Sequence, residues 1–204
     1  MNPDSASDSV LDDTLLERIA AGDAAAFTML FRRRQADVYR VALLMTGRRT
    51  AAEDVTQDVF LAVMREAARY ERGRSTVTAW LCGIARNHSR RRLERDGRLV
   101  PLPDDQGDGT GVVHADPADD LANAQQVDAL RRAVLSLPLR YREVVVLCDL
   151  EELSYREAAV SLDCAVGTVR SRLHRARALL AAKMRVRSAP GQAARAKSIT
   201  RCLA

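Results

Sequence analysis

Lysine is nearly absent from this chain: Lys183 and Lys197 are the only two among 32 basic residues, and the other 30 are arginine. The arginine fork suits bidentate contacts with phosphate and base edges, although a compositional bias of the genome gives the same excess. Aromatic residues make up only 4%, which argues against a β-sandwich or barrel and for helices packed through Ala, Val and Leu. Cys82, Cys148, Cys164 and Cys202 lie far apart with no CxxC pair, and His88, His114 and His174 are equally scattered. Neither a disulfide framework nor a metal site is therefore expected, and no cofactor. Long apolar runs are missing too. The longest resemble Val144–Cys148, and the polar, acidic stretch Met1–Asp13 has no signal-peptide pattern, so a cytoplasmic chain with no membrane insertion is expected.

What remains is a chain of 204 residues, 47% hydrophobic and 29% charged, which builds one medium domain or two small ones. Its net charge of +5 invites a polyanionic partner, but the distribution says more. Residues 98–128 hold one basic residue against seven acidic ones, whereas residues 129–187 hold twelve against six. Two basic or near-neutral blocks are thus separated by an acidic strip. Pro101, Pro103, Gly107, Gly109, Gly111 and Pro117 mark that strip as a flexible linker. The pattern predicts an all-α protein of two small helical domains: a disordered N-terminus over 1–11, a first domain over 12–97, the acidic linker over 98–128, a second domain over 129–187, and a basic tail over 188–204.

Helix signals fill both blocks. Asp23 caps a segment Ala24–Met45 that ends at Gly47, and Thr50 with Glu53 has the spacing of a capping box for a second helix reaching about Tyr70. A loop through Glu71–Ser75 leads to a third, striped by Trp80, Leu81, Ile84 and Ala85, where Trp80 is expected in the core. Beyond the linker, Pro138 starts Leu139–Asp149, although Val144–Val146 alone would suit a strand. Ser154 and Glu157 then form a capping box for a short helix to Leu162, and a break at Asp163–Ala165 precedes a helix over Val166–Arg187.

That last pair has the outline of a helix-turn-helix, with Asp163 suited to the left-handed position of the turn. Val169, Leu173, Ala176 and Leu180 form one stripe, and Arg170, Ser171, His174 and Arg175 another near the N-terminal end. A recognition helix needs this division; an ordinary amphipathic helix also has it. On the second helix, Asp54, Gln57, Asp58 and Leu61 share one face, which fits either a solvated surface near the positive end of the helix dipole or a docking patch for a basic partner. The third helix ends with five arginines in the ten residues 86–95, a phosphate-binding stripe whose affinity falls with salt.

Together these pieces resemble the extracytoplasmic-function (group four) RNA polymerase sigma factors. The strings that carry the resemblance are Glu53-Asp54-Val55-Thr56-Gln57-Asp58-Val59-Phe60, Ala79-Trp80-Leu81-Cys82-Gly83-Ile84-Ala85-Arg86-Asn87, Leu137-Pro138-Leu139-Arg140-Tyr141-Arg142-Glu143, Leu153-Ser154-Tyr155-Arg156-Glu157-Ala158-Ala159 and Val166-Gly167-Thr168-Val169-Arg170-Ser171-Arg172-Leu173-His174-Arg175-Ala176-Arg177. Their order holds over about residues 12–187, with Ala165 standing where the family commonly has Pro. The resemblance implies sigma region two before the linker and sigma region four after it. It places Asp54, Gln57, Asp58 and Leu61 against core RNA polymerase. Tyr70, Arg72, Gly73, Ser75 and Asn87 fall near the flipped base of the −10 element, and Arg86, Arg90 and Arg91 near that strand. Arg170, Ser171, His174 and Arg175 match the −35 contacts, with Arg172 and Arg177 as phosphate binders.

The implied function is to direct polymerase to promoters and capture unpaired −10 bases, in a stress or envelope response, under an anti-sigma factor. The alternative is a stand-alone helix-turn-helix regulator, which would bind a palindromic duplex as a dimer without polymerase. No catalytic grouping is present, so no enzyme is expected. The −35 and −10 elements lie about 25 base pairs, or roughly 80 Å, apart at ~34 Å per turn. A 31-residue linker averages only ~30 Å as a coil, so polymerase has to hold the domains apart.

Overall fold

Side-chain caps at Asp23, Thr76 and Ser154 set the starts of three helices. The structure is a computed structural model that describes residues 3–97 and 123–188, with side chains over 10–97 and 127–184. Its helices are α1 (Pro3–Ala20), α2 (Ala24–Thr46), α3 (Arg49–Glu66), α4 (Val77–Arg95), α5 (Asn123–Leu135), α6 (Leu139–Val145), α7 (Tyr155–Leu162) and α8 (Val166–Ser188). A 3₁₀ turn, Ala67–Arg69, follows α3, and a π-helical turn, Val146–Leu150, continues α6. Among the described residues there is no strand, only an isolated bridge between Arg72 and Ser75.

Asp23 caps α2 by accepting from the Ala25 and Ala26 amides at 2.8 and 3.1 Å. Those bonds, the Ala26 amide foremost, together with Arg18, hold its carboxyl below the ordinary range. Gly47 closes α2 at φ 75°, where an L side chain is strained. The Thr50–Glu53 box does not form. Arg48, not Thr50, has the extended backbone of the N-cap, and Thr50 is already helical. Pro138 likewise sits at the N-cap of α6 rather than inside it. The α-helix there is shorter than the expected Leu139–Asp149, and Val144 and Val145 lie within it.

The N-terminal expectation needs correction as well: residues 3–11, expected as part of a disordered segment, belong to α1. The helix is anchored downstream by Leu15, Leu16 and Ile19, all buried. It is also held by Asp12, fully buried, which accepts from Arg33 Nε at 2.9 Å and Arg34 Nε at 2.5 Å. Helix propagation outward from such an anchor adds one hydrogen bond per residue fixed. Helix α5 starts at Asn123, so residues 123–128 of the expected linker are helical. Residues 98–122 and the tail 189–204 lie outside the described residues.

Helices α2, α3 and α4 enclose Leu30, Val38, Val41, Met45, Val55, Val59, Val63, Val77, Leu81 and Ala85. Phe31 meets Phe60 edge-on with ring centroids 4.8 Å apart. In the second block, Val134, Leu137, Tyr141, Val144, Leu147, Leu162, Val169 and Leu173 pack between α5, α6, α7 and α8. The buried residues of the two blocks join into one continuous apolar cluster. The helix-turn-helix thus rests against the first block.

Candidate functional site

Helix α7, the first of the helix-turn-helix pair, is opened by a capping box. The Ser154 amide donates to Glu157 Oε2 at 2.9 Å, and the Glu157 amide donates to Ser154 Oγ at 3.3 Å. Burial alone would raise the Glu157 carboxyl, but hydrogen bonds from Ser154 and Thr76 outweigh it and hold the group below its ordinary value. Asp163 adopts the left-handed conformation, φ 51°, and releases the chain into α8. Ser154→Ala should cost about 1 kcal/mol of unfolding free energy, read as a lower urea midpoint at unchanged slope. A carboxylate with a lowered folded pKa stabilises above its unfolded pKa and ceases to as pH falls through the folded value. The difference between Ser154→Ala and the parent should therefore shrink in acid.

On α8, Val169, Leu173 and Ala176 are buried and Leu180 is half-buried. Arg170, Ser171, His174 and Arg175 are all exposed on the opposite side, and Arg172 is half-buried. The Arg170 guanidinium lies 5.8 Å over the Tyr155 ring, a cation–π contact from one helix of the motif to the other. Ser171 Oγ donates to the Thr168 carbonyl at 3.0 Å. Arg177 is held by Asp149, Nε to Oδ2 at 3.1 Å and Nη2 to Oδ1 at 2.5 Å.

Helix α3 turns Val55, Val59, Ala62 and Val63 inward and presents Asp54, Gln57 and Leu61 to solvent, with Asp58 half-buried beside them. Asp54 accepts from Arg92 Nη1 at 2.6 Å, and Asp58 stands 3.5 Å from His88 Nδ1. Leu61 and Met64 are large apolar residues left 44% and 58% exposed next to these carboxylates. Met64 escaped the sequence reading, although its i+3 spacing from Leu61 was the available signal.

The loop between the 3₁₀ turn and α4 is tied to α1. Tyr70 Oη donates to Asp13 Oδ1 at 2.7 Å and lies 2.8 Å from the Ser75 carbonyl. Burial, then the bond to Asp13, pushes the phenol above its ordinary value. Arg72 reaches Asp13 and Glu17 at 3.3 Å each. Gly73, at φ 87°, makes the tight turn with open space around it. Trp80 packs against the core, half-buried and edge-on to Tyr70 at 5.6 Å. Asp13 is thus an organiser of this loop that no local sequence pattern announced.

Arg86, Asn87, Arg90 and Arg91 follow on α4, with Asn87 and Arg91 exposed. Arg86 is engaged instead: its Nε donates to Glu143 Oε1 on α6 at 2.8 Å, and Arg90 Nη1 is 3.8 Å from the same oxygen. Further contacts join the two blocks. Arg40 makes a two-pronged pair with Glu151, 2.8 Å in each prong. Thr76 Oγ1 donates to Glu157 Oε1 at 2.7 Å, and Ser161 Oγ donates to the Ala79 carbonyl at 2.9 Å. Buried Arg142 donates to the Met45 carbonyl at 2.6 Å. Among the described residues, no three His, Cys, Asp or Glu side chains group to hold a metal, and no helix is long and apolar enough to cross a membrane.

The family description Sigma-70 region 2 matches residues 30–99, and Sigma-70, region 4 matches residues 128–180. The ECF RNA polymerase sigma factor SigE of Mycolicibacterium smegmatis is 37% identical over 78% of this chain, and the match takes in 62% of that longer protein. The ECF RNA polymerase sigma-E factor of Haemophilus influenzae is 34% identical over 87% of this chain and 97% of its own length. The solved structure of CnrH, in complex with the cytosolic domain of CnrY, superposes with a TM-score of 0.65 at 26% identity, covering 86% of this chain and 98% of that one. With both sigma regions present in order and a relative matched almost end to end, the chain belongs to the extracytoplasmic-function sigma factors, the subunits that direct RNA polymerase to promoters.

Proposed function

We propose that the chain divides this work among three surfaces. Asp54, Gln57, Asp58 and Leu61 on α3 dock on core polymerase. The Tyr70–Ser75 loop with Asn87 receives an unpaired −10 base, while Arg86, Arg90 and Arg91 hold the strand that carries it. Arg170, Ser171, His174 and Arg175 read the −35 duplex, and Arg172 and Arg177 grip its phosphates. The observation that carries this reading is the division of α8, whose exposed polar N-terminal face stands on a buried stripe behind a capped helix and a left-handed turn. That arrangement offers donors to base edges in the major groove.

The chain supplies binding energy rather than bond-making chemistry: the strand is opened by capture of its bases, and the polymerase performs the catalysis. It works in the cytoplasm. An anti-sigma factor is the further partner the family implies, and the neighbouring CnrH structure holds the cytosolic domain of a second protein.

The test is run-off transcription with purified core polymerase on a promoter library. Core-dependent, sequence-selective initiation is expected; its absence with folded protein at permissive salt sinks the proposal. Arg170→Ala should reduce initiation from −35-dependent promoters by roughly 5- to 150-fold, the equivalent of ~1–3 kcal/mol for a bidentate base contact. Discrimination among −10 sequences should stay unchanged. Equal losses at both elements would count against placing Arg170 on the −35 duplex.

A further inference from the structure

Two adjacent acids on α1 divide their work between two neighbours. Asp12 is fully buried and joins α1 to α2 through Arg33 and Arg34. Asp13, the next residue and 9% exposed, reaches instead the loop between the 3₁₀ turn and α4. Successive side chains of a helix point about 100° apart, so the pair grips an element on each side. The anchor made by Asp12 thereby fixes where Asp13 stands.

The loop's own contacts are slight. Arg72 and Ser75 form an isolated bridge, and the Arg74 amide donates to the Glu71 carbonyl at 3.2 Å. Glu71 and Arg74 also pair, but both side chains are mostly exposed, and such pairs contribute little. Gly73 turns at φ 87° with open space around it. The contacts from α1 are of another kind. One oxygen of Asp13 accepts from Tyr70 Oη at 2.7 Å, and the other lies 3.3 Å from Arg72 Nε. The same hydroxyl stands 2.8 Å from the Ser75 carbonyl, spanning the mouth of the loop. A phenol has a single hydrogen, and an ionised carboxylate is a stronger acceptor for it than a carbonyl.

We propose that Asp13 is a positioning residue for −10 recognition: from α1 it sets the shape of the loop that receives the unpaired base, and so the bases the chain accepts. The inference rests on the −10 assignment made above. Asp13 acts through Tyr70 and Arg72 rather than on the DNA itself. Arg72, its guanidinium shared by Asp13 and Glu17, serves as a strut of the loop. A site that selects through placed polar groups tolerates only about 0.5 Å of misplacement, so a loop released at Tyr70 loses selectivity before the chain loses its fold.

The test compares Asp13→Ala and Asp13→Asn with the parent, each in the full chain and each checked by thermal unfolding. Run-off transcription with core polymerase uses promoters varied base by base. Asp13→Ala should lose about fivefold or more of the parent's preference among −10 bases, the scale of one hydrogen bond. Preference among −35 bases and binding to core polymerase should not change. Asp13→Asn keeps an oxygen that accepts from Tyr70 but has no charge for Arg72, and should fall between. Tyr70→Phe should lose the same preference, and combining it with Asp13→Ala should cost less than the sum, because the two side chains share a bond. An unchanged −10 preference in Asp13→Ala, equal losses at both elements, or losses that simply add in the double variant overturn the proposal.

Trp80 gives a readout that needs no promoter. It is the chain's only tryptophan and packs edge-on against Tyr70, ring centroids 5.6 Å apart. Once released from Asp13, the Tyr70 ring should uncover it, seen as a higher acrylamide quenching constant in Asp13→Ala, with Asp13→Asn again between. Quenching equal to the parent's overturns the hold of Asp13 on the loop. If the parent chain initiates nowhere, the promoter reading falls and the −10 role with it, while quenching still decides whether Asp13 shapes the loop.

Discussion

Reversing both carboxylates on α3, Asp54→Arg with Asp58→Arg, should reduce core polymerase binding and run-off by roughly 30-fold to several-thousand-fold, the range for charge pairs broken in a protein interface, ~2–5 kcal/mol. Both side chains are about half exposed, and their internal partners are surface groups. Exposed ion pairs contribute about 0–1 kcal/mol, so the Asp54–Arg92 and Asp58–His88 contacts do not account for placing two acids here. The neighbouring Leu61 and Met64 are exposed apolar groups, and a small apolar spot beside charge is the composition of an interface core with its polar rim. The prediction is checked by competition binding to core polymerase alongside thermal unfolding. Lost binding at unchanged melting temperature supports docking, whereas a lower melting temperature that accounts for the loss would make these residues structural. Binding by the parent should also weaken as salt rises, because the attraction is between exposed charges.

How much of this was visible beforehand depends on the range of the interaction responsible. Where a helix end is set by a cap within three residues, as at Asp23, Gly47, Ser154 and Glu157, the sequence located it. Thr50 and Glu53 show the limit. The T-x-x-E spacing is equally an ordinary i, i+3 pair within a helix, and which reading applies depends on the backbone at Arg48, extended at ψ 132°. The run Val144–Val146 has strand propensity, yet it is helical because all three residues are buried in a helical core, and burial overrides an intrinsic preference worth tenths of a kcal/mol.

The exposed polar face of α8 was legible because residues on one face of a helix keep a fixed spacing. The partners of Arg86 and Tyr70 were not: Glu143 lies 57 residues from Arg86, and Asp13 lies 57 residues from Tyr70. Nothing local says which acid closes on which base. The same reason explains why the arginine stripe over 86–95 read as one phosphate-binding surface, whereas the folded chain divides it: Arg86 engages Glu143, Arg92 engages Asp54, and Arg91 is exposed.

Arg142→Ala should cost about 3–5 kcal/mol of stability, because several carbonyls lose their buried donor at about 1–3 kcal/mol each. Arg142 is 1% exposed and donates to the carbonyls of Leu135, Leu137 and Met45. Leu135 is the last residue of α5, and Met45 lies in the last turn of α2. Carbonyls there lack an intrahelical partner and sit at the negative end of the helix dipole, so one guanidinium satisfies two helix C-termini from different blocks. Alanine leaves those oxygens buried without this donor, and Arg142→Lys should recover only part of the loss, because a compact ammonium cannot span three carbonyls as a planar fork does. Urea unfolding of the full chain measures both. Two of the three bonds lie within the second block, so Arg142→Ala should destabilise that block through its own contacts. A loss below about 1 kcal/mol, the usual net worth of a single hydrogen bond, would show that water replaces the guanidinium and that its role in holding the helix ends is minor.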